Sequence, residues 1–149
     1  MTDPGGPLER RKQDTLARLN QDLDAWVASA DRAGNAYLVP LSFLWDSTVF
    51  ILATAESTPT ARNLRSSGRV RMSVGPTRDV VLIDGIVETF SRETVPGDLA
   101  DAFATKLWDA RVGTTRYAYF RVTPRRIQAW REENELAGRD LMRAGRWLG

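Results

Sequence analysis

Residues 37–54 read YLVPLSFLWDSTVFILAT. Tyr37, Val39, Leu41, Phe43 and Trp45 alternate with Leu38, Pro40, Ser42 and Leu44, a period of two that marks a strand apolar on nearly both faces. Asp46-Ser47 has turn chemistry, and Val49–Thr54 returns as a second apolar strand, so the stretch reads as a hairpin. Pro40 removes one ladder donor, which predicts an open edge or a bulge at that point. A hairpin of two apolar strands is the seed of an antiparallel sheet buried on both faces.

Upstream, Leu16, Leu19, Leu23, Trp26 and Ala30 recur at steps of three and four, which predicts a helix over 8–30, closed by the turn at Gly34-Asn35. Residues 1–7 are polar and rich in Pro and Gly and are expected to be disordered. Downstream, Thr58 as N-cap and Pro59 at the first helical position open a short helix that Gly68 ends. Arg69–Val74 alternates again. Val80–Ile83 and Ile86–Phe90 are apolar strands joined by a bend or bulge at Asp84-Gly85. Pro96–Ala110 is an amphipathic helix. Tyr117–Val122 and Ile127–Trp130 are strands divided by Thr123-Pro124. The charged tail, 132–149, is expected to pack on a partner subunit or to fray. Hairpin strands with segregated helices define an α+β class built on a barrel-like antiparallel sheet, in one domain spanning 1–149.

Composition removes several chemistries. The 149 residues hold no Cys and no His. That excludes a thiol nucleophile, a Cys/His zinc site, a Ser-His-Asp triad and any imidazole base. No catalytic side chain and no metal ligand set is predicted, and if the protein is an enzyme a cofactor carries the chemistry. The net charge is +2, too even for a nucleic-acid binder. No apolar run approaches the roughly 20 residues that cross a bilayer, and the N-terminus lacks the apolar core of a signal peptide, so a cytoplasmic protein is expected. Of the 21 basic residues only Lys12 and Lys106 are lysines. Arginine favours bidentate pairing with carboxylate or phosphate, although genome composition alone produces the same bias.

The segment Thr54–Arg65, TAESTPTARNLR, concentrates what chemistry there is. A strand leads into a capped helix start with Ser57, Thr58 and Thr60, followed by Arg62 and Arg65. Free amides and the positive end of a helix dipole attract anions, and arginine adds charge-assisted bonds. The same residues also describe an ordinary capped helix with surface arginines.

YLVPLSFLWD, VFILATAES, PTARNL and RVRMSVGPTRDVVLIDGIVE, in that order over residues 15–131, resemble the pyridoxamine 5′-phosphate oxidase-like superfamily. They resemble most its short branch that uses FMN or the deazaflavin F420. The resemblance implies an antiparallel split β-barrel with a few flanking helices. It implies a homodimer with two sites at the subunit interface and a hydride-transferring flavoprotein oxidoreductase acting on a small organic substrate. The alternative is a non-catalytic protein that binds or sequesters FMN, F420 or another planar anion. By the same resemblance, Val39, Pro40, Leu41 and Ser42 lie beside the isoalloxazine ring. Thr54, Ser57 and Thr58 hold the phosphate, with Arg62 and Asn63 contributed by the helix turn. Many members carry Arg or Lys just after the serine. Here those places are Thr58 and Pro59, which leaves Arg62 or Arg65 to supply the charge.

Overall fold

A computed structural model describes residues 6–149. Residues 1–5, most of the stretch expected to be disordered, lie outside the described residues. Pro7 already belongs to the first helix, α1 (Pro7–Gln21).

The elements that follow are β1 (Asp24–Ala30), β2 (Ala36–Trp45), β3 (Phe50–Ala55), α2 (Pro59–Ser67), β4 (Arg69–Val74) and β5 (Val80–Phe90). Then come α3 (Gly97–Lys106), β6 (Tyr117–Trp130), a 3-10 helix (Glu133–Gly138), β7 (Asp140–Arg143) and β8 (Arg146–Trp147). The sheet runs β3-β2-β1-β4-β5-β6, every described neighbour antiparallel, and β3 also pairs with β6. That last pairing closes six strands into a barrel.

The helix expected over 8–30 stops at Gln21. Asp22 turns extended (φ −72°, ψ 149°), and residues 24–30 form β1. Ala25, Val27 and Ser29 are buried while Trp26 is 51% exposed, so the true period there is two. Trp26 and Ala30 fit the helical steps only by coincidence.

Two layers of apolar contacts hold the fold. Inside the barrel, Val27, Phe43, Phe50, Leu52, Met72, Ile83, Phe120 and Ile127 pack together. α2 adds Ala61 and Leu64 to this core, and Leu64 is fully buried. Burying one such side chain stabilises the fold by about 1.5–3 kcal/mol. Outside the barrel, α3 covers β3 and β6, with Phe103 against Tyr119 (ring centroids 5.8 Å apart, edge to face), Ile51 and Ala53. This second layer explains why β3 reads as a continuous apolar run rather than an alternating one.

β5 and β6 are each one long strand, not two. Asp84 pairs with Arg126 and Gly85 with Pro124, so Arg125 is the extra residue of a bulge. The bulge lets Pro124 sit inside a central strand. A Cβ on Gly85 would approach Val122 Cγ1 to 2.4 Å, so only glycine fits opposite it.

The tail folds back on its own barrel. β7 pairs with β6, β8 pairs with β7, and Leu141 and Met142 are buried in the main core. Among the described residues no helix is long and apolar enough to cross a membrane.

Two predictions follow from this packing. Gly85→Ala should lower stability by about 1–3 kcal/mol, measured by urea unfolding, because the new methyl overpacks the bulge. Surface carboxylates give the second. Asn35 bonds Asp31, and Arg121, Arg116 and Arg111 bond Glu88, Glu93 and Asp109, holding all four carboxyls below their ordinary range. Their folded pKa values lie below the unfolded ones, so the stability they add is complete above the unfolded values of about 4. It should be lost as pH falls through the folded values, read as a declining unfolding midpoint that high salt flattens.

Candidate functional site

The barrel is closed between β3 and β6 but incompletely between β2 and β3. Their pairs are Trp45↔Phe50, Leu44↔Ile51 and Phe43↔Leu52. The same register would set Leu41 opposite Thr54, but the pairing ends first. Beyond Phe43, β2 stays with β1 from Ser42 to Ala36, while β3 stays with β6 through Thr54↔Ala118 and Ala55↔Tyr117. The two strands part, and β2 keeps one open edge along Val39, Pro40, Leu41 and Ser42. Alternate residues of such an edge present an unpaired N–H and C=O. Val39 and Leu41 pack on the core, Pro40 is exposed, and Ser42 Oγ donates to Asp24 Oδ1 at 2.8 Å.

α2 begins where β3 leaves this split. Thr58 caps it: its Oγ1 accepts from the Ala61 amide at 3.1 Å and donates to the Ala55 carbonyl at 2.9 Å. Its own amide donates to the Ala55 carbonyl, and Pro59 has no N–H. Thr60 therefore carries the one first-turn amide without a partner among the described residues. The helix start satisfies itself and leaves little main-chain cradle for an anion.

Positive charge comes instead from the helix's own arginines. Arg62 Nη1 donates to the Ser57 carbonyl at 2.5 Å, and Arg65 Nη2 donates to the Glu56 carbonyl at 3.4 Å. Both guanidiniums thus fold back over the β3–α2 connection, each with most of its five donors unspent. Ser57, in the same connection, is exposed. Arg116 stands nearby but is neutralised, 2.7 Å from Glu93 and 3.3 Å from Glu56. Those carboxylates hold its pKa above the ordinary arginine value, the hydrogen bond to Glu93 contributing most.

The nine residues predicted for the site are not gathered into one cavity. Arg62 and Asn63 line a groove of about 360 Å³ against the β1–β2 turn, with Asp31, Arg32 and Ser66. Ser57 and Arg65 line another of about 410 Å³ on the other side of α2, with Glu56, Thr89 and Phe90. Thr54 and residues 39–42 flank the split and line neither groove. Asn63 is buried, its Nδ2 donating to Ser29 Oγ at 3.2 Å, so its amide ties α2 to β1. Glu56, Thr89 and Phe90 went unpredicted, because their approach depends on the β5–β6 pairing and no local motif marks it.

The architecture is an antiparallel barrel whose wall parts between β2 and β3 where an arginine-bearing helix begins. The family model described as Pyridoxamine 5′-phosphate oxidase matches residues 12–131, and the chain belongs to that family. Solved structures agree on the fold. An F420 reductase superposes with a TM-score of 0.58 at 22% identity, covering 74% of this chain and 93% of its own. A FAD-binding protein from Mesorhizobium loti gives 0.59 at 18% identity, covering 77% and 90%. HutZ, the heme storage protein from Vibrio cholerae, gives 0.66 at 11% identity, covering 91% and 98%. At these identities the likeness is one of fold. No curated protein matches the chain.

Because Thr58 spends its hydroxyl inside the protein, Thr58→Ala should act on folding. The expected loss is about 1 kcal/mol in urea unfolding, the usual value of a cap. Arg62→Ala, removing an exposed side chain, should stay within about 0.5 kcal/mol of wild type in the same measurement.

Proposed function

We propose that the protein is an oxidoreductase that binds FMN or the deazaflavin F420 at the split between β2 and β3. The observation that supports this reading is the open edge of β2 where it parts from β3, with α2 and its exposed Arg62 and Arg65 following directly from β3. The residues fit a planar ring with an anionic tail. The backbone of Val39, Pro40, Leu41 and Ser42 would meet the ring's polar edge, and Ser57, Arg62, Arg65 and the Thr60 amide would hold the tail. When bound, such a cofactor supplies hydride transfer. The chain's part is to orient the ring and keep water from its inner face, which the apolar Val39 and Leu41 suit. Family membership and an F420 reductase with this fold support the assignment.

A second copy of the chain would complete the opening. Trp26 and Pro40 are register partners, and both point outward. Trp26 and Leu38, on the adjacent strands β1 and β2, are 51% and 63% exposed, apolar side chains of the kind that mark a partner surface. Light scattering should give about twice the chain's 16.7 kDa. Trp26→Glu with Leu38→Glu should return one chain mass.

One feature favours a non-catalytic reading: the helix start carries no Lys or Arg at Thr58 or Pro59. A storage protein needs a pocket but no turnover, and the heme storage protein HutZ shares the fold. Titration with FMN and with F420, followed by fluorescence, separates the readings. Binding of one in about the micromolar range is expected. Arg62→Ala should weaken it by roughly 1.5–3 kcal/mol, the value of a charged hydrogen bond. Tight binding without reduction of any substrate would select the storage reading, and binding of neither cofactor would reject the oxidoreductase reading and leave the barrel as a module for another planar anion.

A further inference from the structure

A second concave site lies at the opposite end of β5 and β6 from α2. There α1, the start of β5, the end of β6 and the 3-10 helix enclose a cavity of about 290 Å³. Arg10, Arg11, Arg18 and Arg131 line it against Asp14, Asp79 and Glu135, which leaves one positive charge uncompensated.

The four guanidiniums are not equivalent. Arg18 grips the β4–β5 turn, with Nη2 2.6 Å from the Asp79 carboxylate and Nη1 on the Asp79 carbonyl. Arg11 ties α1 to the 3-10 helix through the Gly138 carbonyl and Glu135. These two are structural. Arg131 is held loosely, 3.4 Å from both Asp14 and Asp79, and its side chain is 55% exposed. Arg10 makes no ion pair among the described residues. Thr15 is only 4% exposed and lines the cavity. Val81, Ala129 and Trp130 supply an apolar wall.

We infer that this cavity binds a small organic monocarboxylate, its carboxylate on Arg131 and Arg10 and its apolar body against Trp130. One negative charge cancels the excess of one. A dianion would leave a surplus beside Asp14, Asp79 and Glu135, and a neutral ligand would leave the planar guanidinium forks without a match. Thr15, which also lines the cavity, offers the ligand a hydroxyl as a further polar contact. The site is independent of the cofactor reading, since it shares no residue with the split.

Benzoate is the probe. Amide chemical shifts of the full chain are followed by NMR during titration at constant ionic strength, with chloride as the balancing anion. The expected result is one saturable site with a dissociation constant on the order of 1 mM, ordinary for so small a ligand. The shifts should be confined to α1, the start of β5 and residues 129–135. Arg131→Gln should weaken binding at least about fivefold, the loss of a charge-assisted contact. Thr15→Val, close in shape and so safe for folding, should weaken it measurably with the free spectrum otherwise preserved. Absence of saturation at about ten times that concentration, shifts scattered over the surface, or wild-type affinity in both variants would overturn the proposal.

Discussion

The fold depends on one choice made by β3. It has two candidate neighbours, and it pairs with β2 only at Phe43, Leu44 and Trp45 before giving the rest of its length to β6. Pairing with β6 closes the barrel and buries β3 on both faces, against the core within and α3 without. β2 is left with an open edge, which in an isolated sheet invites aggregation. Here that edge runs beside α2 inside a curved wall. The opening is therefore a consequence of closure: six strands with this register cannot satisfy β3 on both sides along its whole length.

The same economy governs the start of α2. A helix N-terminus can spend its amides on its own cap or on a ligand, and Thr58 with Pro59 spends nearly all of them internally. Stability is gained locally, and the proposed anion affinity would have to come from side chains rather than main chain. Arg62 and Arg65 restore the charge but are exposed and flexible, so ordering them costs rotamer entropy that a fixed amide cradle does not. Such a site binds through charge and is correspondingly sensitive to salt.

Much of this was legible in the sequence because the deciding signals are local. Alternation over 37–45, the Thr58–Pro59 cap and Gly68 at its left-handed position (φ 67°) each act within a few residues. The errors fell where long-range pairing overrides local pattern. Leu23, Trp26 and Ala30 continue the helical steps of α1, yet Asp24–Ala30 is claimed by β2 and β4 on either side. Pro124 looks like a strand end until Gly85 stands opposite it at a bulge. The charged tail gives no alternation, but it finds its partner in the exposed edge of β6. For the site, residue types near α2 were readable, while their division between two grooves follows from where α2 lies on the barrel.

The absence of Cys and His gives these geometric facts their functional weight. A chain without a thiol or an imidazole has few side chains that titrate near neutrality, and its one notable buried hydroxyl, Tyr119, is driven upward in pKa mainly by burial. That hydroxyl sits beneath α3, away from the split, with no hydrogen-bond partner among the described residues. Acid–base work by the protein is therefore disfavoured wherever the opening leads. What remains are shape, backbone polarity and arginine, which recognise planar and anionic molecules well and transform nothing by themselves. A reaction at this barrel that called for a thiol or an imidazole would have to draw it from a bound molecule.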